Sequence, residues 1–200
     1  MAQKRELSKV AKAKKPKPIS EELKLEIAER MKRRELLTPE KRKELDHALI
    51  DAAEKGKNED IGRLLRAGAN IEAEGDDSDT ALIYAANNGY AETCGFLIEK
   101  GADINAKDNK DKTALMWAAH RGETETCRLL LDRLAKNEGD IRKYVEAKDD
   151  DGWTALLYST DNGYTETASL LKVYSDFMSL LSKDYKKFRE KFDACIKGGV

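Results

Sequence analysis

Short apolar stretches recur along the middle of the chain at a nearly constant interval. Thr80–Ala86, Thr113–Ala119 and Thr154–Thr160 each begin Thr-Ala-Leu and carry Tyr or Trp at the fifth position. Successive copies start 33 and 41 residues apart, and a weaker copy, His47–Ala53, precedes the first by 33 residues. Self-similarity at this period predicts stacked copies of one structural unit.

The spacing of apolar and polar residues predicts two helices in each unit. Thr80 can cap the first helix through its hydroxyl oxygen, and Gly89 can take the left-handed conformation that ends it. Cys94 and Leu97 lie on one face of the second helix, which Gly101 ends. One unit cannot bury its own apolar face, so we expect the copies to stack.

These motifs resemble the ankyrin repeat over residues 38–174. The shared patterns are Thr-x-Leu-x-x-Ala-Ala, Gly-Tyr-x-Glu-Thr and Gly-Ala-Asp-Ile-Asn-Ala. The resemblance implies an all-α solenoid of stacked, antiparallel helix pairs with hairpin-like fingers. It also implies protein binding through the fingers and the first-helix face. No catalysis and no cofactor are expected, because the sequence shows no nucleophile, metal cluster or phosphate cradle. We expect a monomeric scaffold or interaction module.

The chain is expected to divide into an array with helical caps at both ends. Eight extra residues fall within Leu131–Tyr144, so the second helix of the third unit should run on and turn at Asn137–Asp140. The expected segments are a basic arm over 1–19, an N-terminal capping helix over 20–37, repeats over 38–74, 75–107, 108–148 and 149–174, and a C-terminal capping helix over 175–200.

Both predicted caps show apolar residues at helical spacing. Leu23, Ile27 and Met31 follow Ser20, which can cap a helix, and this helix is expected to cover the first repeat. The C-terminal helix caps the last repeat or, alternatively, docks a partner or dimerises. Its stripe consists of Met178, Leu181, Tyr185, Phe188, Phe192 and Cys195.

The charge distribution separates the N-terminal arm from the rest of the chain. Residues 1–18 carry seven basic side chains against Glu6, a balance of +6, so the remainder carries −7 for a net charge of −1. A solvated tail is the simplest interpretation. The alternative is electrostatic binding of nucleic acid or an anionic membrane through residues 4–17, although no aromatic residue is interleaved for stacking.

Cysteine content and the absence of targeting patterns favour a cytoplasmic protein. The three cysteines are an odd number, and no apolar run resembles a signal sequence or a membrane span. Cys94 and Cys127 occupy equivalent apolar positions and should be inert core thiols, too far apart to bond. His120 lacks a paired ligand, so no metal site is expected, and no catalytic motif is present.

Aromatic residues provide the first candidates for partner binding. Tyr84, Trp117 and Tyr158 share one repeat position, for which inter-repeat packing is the favoured interpretation and an open binding strip the alternative. Trp153 occupies a position that is charged in the other units, so it is expected to be exposed. Replacing Trp153 and reversing Lys110 and Lys112 should weaken binding without changing thermal stability.

The predicted fingers alternate in charge. The first finger, Glu72–Asp79, has five acids and no base; the second, Lys107–Lys112, has three lysines and two aspartates; the third, Glu146–Gly152, has four acids and one lysine. These are solvated loops or, alternatively, a charge comb that selects a partner. With the positions that the resemblance places facing a partner, the candidates are Trp153, Lys110, Lys112, Asp77, Asp79, Asn87, Asn88, His120, Arg121, Asp151, Asp161, Asn162, Tyr84, Trp117 and Tyr158.

Overall fold

The computed structural model describes residues 20–136 and 141–176 as a stack of helix pairs. The basic arm, the turn at Asn137–Asp140 and the C-terminal apolar stripe lie outside these residues. The helices are α1 (Glu21–Glu35), α2 (Pro39–Glu54), α3 (Asn58–Ala67), α4 (Ala81–Asn87), α5 (Ala91–Glu99), α6 (Ala114–Arg121), α7 (Thr124–Lys136), α8 (Ile141–Val145), α9 (Ala155–Asp161) and α10 (165–176).

The first helix of each unit begins at the predicted threonine. Thr80, Thr113 and Thr154 each accept a hydrogen bond on the side-chain oxygen from the backbone N–H three residues later, at 3.4, 3.4 and 3.2 Å. The hydroxyl oxygen thereby satisfies a donor that the helix leaves unpaired. Gly122 follows α6 with φ 76°, in the left-handed region that glycine adopts without strain.

Small and branched apolar side chains fill the space between the units. α2 packs on α4, α4 on α6, and α6 on α9, while α5 packs on α7 in the second row. Ala53, Ala86 and Ala119 are fully buried, which lets the first helices approach closely. Leu97 and Leu130 are buried to the same degree in the second helices. One continuous core therefore runs through all four repeats.

The 41-residue interval is accommodated by a longer second helix, as predicted. α7 has 13 residues, whereas its counterpart α5 has 9, and the short helix α8 follows it. The sequence did not predict α8. Among the described residues, no helix is both long and apolar enough to cross a membrane.

Each finger is closed by a backbone hydrogen bond and linked to its neighbour. The closing bonds run from the N–H of Gly75, Asp108 and Asp149 to a carbonyl four residues later, each at 3.0 Å. The N–H of Asn109 donates to Asp77 O at 3.0 Å, and that of Asp150 donates to Lys110 O at 3.1 Å. The three fingers therefore form one backbone-bonded row.

The N-terminal helix α1 packs on the first repeat and reaches the second. It lies across the C-terminal ends of α3 and α5, and Met31 in its predicted apolar stripe is exposed. Its arginines donate to carbonyls that the helix ends leave unpaired, which also suits the negative end of each helix dipole. These bonds are Arg33 Nη1 to Arg66 O at 2.8 Å, Arg34 Nη1 to Gly68 O at 3.2 Å, and Arg30 Nη1 to Lys100 O at 3.3 Å.

Candidate functional site

Two finger aspartates orient the aromatic side chains of the inner helices. Asp108 accepts hydrogen bonds on one oxygen from the N–H groups of Lys110 and Lys112, both at 2.8 Å, and on the other from Trp117 Nε1 at 2.9 Å. Asp149 repeats this arrangement with two backbone N–H groups and the hydroxyl of Tyr158. Each aspartate therefore fixes both its finger and the ring nine residues later.

The first finger lacks this aspartate. Gly75 stands nine residues before Tyr84, and a β-carbon at Gly75 would lie 2.9 Å from Tyr84 Oη. The ring of Tyr84 thus packs against the finger backbone instead of bonding a carboxylate. In the sequence, Asp108 and Asp149 stand out only as finger charges. The nine-residue spacing to Trp117 and Tyr158 was the signal that could have identified their structural role.

Lys112 lies between the rings of two successive repeats. Its Nζ is 4.8 Å from the ring centroid of Trp117 and 5.0 Å from that of Tyr158. An ammonium at this distance from aromatic faces is attracted by their quadrupoles. The gap between the two rings is therefore a cation site, and Lys112 fills it.

His120 completes the cluster around Lys112. Its ring makes edge contacts with Trp117 and Tyr158, with centroids 5.8 and 5.2 Å away. Burial lowers the pKa of His120 below its usual value, and the charges of Lys112 and Arg121 lower it further. At neutral pH the imidazole is therefore uncharged, which suits its position beside a lysine.

Trp153 is half-buried, which corrects the expectation that it is exposed. Its backbone N–H donates to Asp149 Oδ1 at 2.8 Å, which turns the end of the finger inwards, and its ring lies 5.2 Å from that of Tyr158. Lys112 is half-buried as well. Replacing Trp153 or Lys112 would therefore disturb packing, contrary to the sequence expectation that stability would not change. Lys110, in contrast, is exposed.

The remaining candidates divide by exposure. Tyr158 is only 8% exposed and belongs to the core, whereas Tyr84 and Trp117 are half-buried. Asn87 is half-buried and accepts a hydrogen bond from Arg121 Nε at 3.0 Å. The candidates that lie open to solvent are Asp77, Asn88, Lys110, Arg121, Asp151, Asp161 and Asn162.

Asp79 carries a carboxylate in an unfavourable environment. Its Oδ1 is shielded from solvent and has no hydrogen-bond partner in the described part of the chain. Burial, followed by the nearby charges of Asp108 and Asp77, raises the pKa of Asp79 from 3.8 to about 6, while Lys112 opposes the change. The folded protein therefore binds the proton of Asp79 more tightly than the unfolded chain does.

Replacing Asp79 with Asn is expected to stabilise the protein at neutral pH. The carboxyl titrates at about 6 when folded and 3.8 when unfolded, so its ionisation costs stability that grows as pH rises through this window. Solvent screening of the partly exposed group reduces the gain to about 1 kcal/mol. Urea unfolding at pH 7.5 and pH 3.5 measures it, and a gain of equal size at both pH values would contradict the explanation.

The two described cysteines behave as core residues. Cys94 and Cys127 are fully buried and not joined by a disulfide. Burial raises the pKa of each thiol to about 12, so both stay protonated at neutral pH. Neither is suited to act as a nucleophile.

Comparison with known proteins establishes the class that this fold and surface define. A family model described as ankyrin repeats (3 copies) matches residues 25–108, 49–144 and 106–179, which together span most of the chain. The chain therefore belongs to the ankyrin-repeat family, and its fold is an all-α repeat solenoid. Ankyrin repeats are generally protein–protein interaction modules. A search of the curated proteins found no match.

Proposed function

We propose that this protein is a non-catalytic scaffold that binds a partner protein through the three fingers and the inner faces of α4, α6 and α9. The backbone hydrogen bonds between fingers carry the proposal. Because Asn109 bonds Asp77 and Asp150 bonds Lys110, the finger tips are held in place before any partner arrives. Binding to a preorganised surface avoids the entropy cost of ordering loops.

The exposed finger tips supply a pattern of charge for recognition. Asp77 on the first finger and Asp150 and Asp151 on the third are exposed acids, and Lys110 between them is an exposed base. Complementary charges favour the correct partner and speed encounter, while like charges reject others. The acid–base–acid order is thus suited to select a partner with the opposite sequence of charges.

Exchanging the charges of two neighbouring finger tips tests this proposal. The variant Lys110→Glu with Asp150→Lys keeps the net charge and touches two exposed side chains, so thermal stability should stay within about 0.5 kcal/mol of the parent. The immobilised protein captures partners from lysate, and mass spectrometry identifies them. We expect the variant to bind the captured partner at least about tenfold more weakly, since like charges then face each other.

A matched exchange on the opposite side of the solenoid provides the control. Asp60 and Arg63 form an exposed ion pair on α3 at 2.8 Å, and Asp60→Lys with Arg63→Glu again keeps the net charge. This control should bind like the parent. Two results would contradict binding through the fingers. One is partner capture by the finger variant that equals capture by the parent; the other is a loss of capture in the α3 variant as large as that in the finger variant.

The C-terminal segment, the oligomeric state and the location enter the proposal separately. We propose that the segment after α10 covers the last repeat, because Leu157 is 49% exposed whereas its equivalents Ile83 and Met116 are each 1% exposed beneath the following repeat.

We also propose a monomer in the reducing cytoplasm, where free buried thiols such as Cys94 are common.

A further inference from the structure

The cation site occupied by Lys112 has a counterpart one repeat earlier. Lys112 and Trp117 correspond to Asp79 and Tyr84, each 33 residues earlier, and Tyr158 corresponds to Trp117 in the next pair. The gap between Tyr84 and Trp117 is therefore the repeat equivalent of the gap that holds the Lys112 ammonium. In the earlier gap, the position of the lysine carries a carboxylate.

The side chains of this earlier gap are suited to a cation that the described residues do not supply. Tyr84 and Trp117 are half-buried, so part of each side chain stays accessible. Trp117 is held by its bond to Asp108, which fixes the orientation of its ring. Asp79 holds the repeat position of Lys112 at the end of the first finger, and its charge acts on the hydroxyl of Tyr84. Two aromatic rings and a carboxylate together attract a positive charge.

We propose that Tyr84, Trp117 and Asp79 form a site for a lysine or arginine side chain of the partner protein. The site is named here the cation notch. This inference rests on the proposed function and adds the chemistry of one contact to it. The partner's cationic group lies between the two rings, as the Lys112 ammonium does one repeat later, and pairs with the Asp79 carboxylate.

The unfavourable environment of Asp79 supports this assignment. Asp77, Asp108 and Lys112 face it from the two fingers, and Tyr84 faces it from α4. Burial, followed by the charges of the two acids, outweighs the lysine and raises the pKa of Asp79 to about 6. A bound cation would compensate this repulsion. The Asp79 carboxylate, which lowers the stability of the free protein, would then be paired with a positive charge in the complex.

A small lysine derivative tests the notch without any partner protein. N-acetyl-lysine N-methylamide is titrated at pH 7.5 while amide and indole shifts are followed by NMR, and the norleucine analogue serves as the uncharged control. We expect saturable shifts at the Trp117 indole and at the amides of Asp79 and Tyr84 with the lysine derivative alone. Because a single cation contact is weak, the dissociation constant should be on the order of millimolar.

Three variants separate the notch from the general negative charge of the fingers. Asp79→Asn should weaken binding of the lysine derivative at least about fivefold. Asp150→Asn removes the same charge from an exposed position on the third finger and should change affinity less than about twofold. Asp79→Lys should abolish binding, because the new ammonium occupies the notch as Lys112 occupies its own gap.

Two results would overturn the notch. One is the absence of saturable shifts at Trp117 and Tyr84; the other is an equal loss of affinity in Asp79→Asn and Asp150→Asn. Neither result would contradict the proposed function, because partner capture by the variant with exchanged finger charges tests that function independently. Conversely, loss of partner capture in both exchange variants would leave the titration of the notch unaffected.

Discussion

Replacing Asp149 with Ala is expected to lower the free energy of unfolding by about 3 kcal/mol. The carboxylate is buried and accepts hydrogen bonds from the N–H groups of Asp151 and Trp153 and from the hydroxyl of Tyr158. Alanine leaves three donors without an acceptor in a site that is largely closed to water. Urea unfolding of the parent and variant at pH 7 measures the loss.

The neighbouring Asp150 provides the control for Asp149. Asp150 is exposed, so Asp150→Ala should change stability by less than about 0.5 kcal/mol. Equal effects of the two substitutions would contradict the role assigned to Asp149. The Tyr158→Phe variant removes only one of the three donors, so its loss in free energy of unfolding should lie between those of Asp149→Ala and Asp150→Ala.

The stabilising effect of Asp149 also has a defined pH dependence. Burial alone would raise the pKa of this carboxyl, but the hydrogen bonds from Tyr158 and from the backbone of Trp153 and Asp151 outweigh burial and lower it below 3.8. Its contribution is therefore complete above the unfolded pKa of 3.8 and is lost as pH falls through the lower folded value. The difference between parent and Asp149→Ala should accordingly shrink only in acid.

Replacing Gly122 with Ala is the second substitution with a large expected effect, about 3 kcal/mol of destabilisation. Gly122 has φ 76°, where a side chain adds about 1 kcal/mol of strain. A β-carbon there would also lie 2.5 Å from the ring of Tyr164 in the next repeat, closer than real contacts allow. The ring must move, which opens the contact between the third and fourth repeats.

Gly163 separates the two contributions because it shares the conformation but lacks the contact. Its φ is 75°, and in the described part of the chain nothing lies within 4 Å of an added β-carbon. Gly163→Ala should therefore cost only about 1 kcal/mol. Combining Gly122→Ala with Tyr164→Ala should show a favourable coupling of about 1 to 2 kcal/mol in chemical unfolding. Additive effects would contradict the packing explanation.

The repeat architecture could be predicted from the sequence because one pattern recurs at fixed offsets. Thr80, Thr113 and Thr154 cap their helices through the same local hydrogen bond, which depends only on residues within one turn. The run-on of α7 followed equally from the missing Gly-Ala-Asp motif in the third unit. Local chemistry, repeated several times, left few alternatives.

The features that the sequence did not predict depend on contacts between distant residues. The placement of α1 is determined by carbonyls at the ends of α3 and α5, which no helical periodicity of residues 20–37 encodes. Trp153 is expected to be exposed when its position is compared with charged equivalents. In the structure it turns inwards, because Asp149 binds its N–H and the ring of Tyr158 offers an apolar contact.

The cation notch shows a similar division between sequence and structure. Asp79 and Lys112 were candidates on charge alone, and their different surroundings became clear only from the rings of Tyr84, Trp117 and Tyr158. The repeat relation then explains why the two positions are comparable. Tertiary packing decides which of two equivalent charges has a partner among the described residues and which has none.

Hydrogen–deuterium exchange of the protein with and without its captured partner tests the central claim most directly. The free protein should already show slow exchange at the amides of Asn109 and Asp150, which bond the neighbouring fingers. Adding the partner should slow exchange further in the three fingers and in α4 and α6. Protection confined to α3, α5 and α7 would contradict the claim that the fingers and the inner helix face bind the partner.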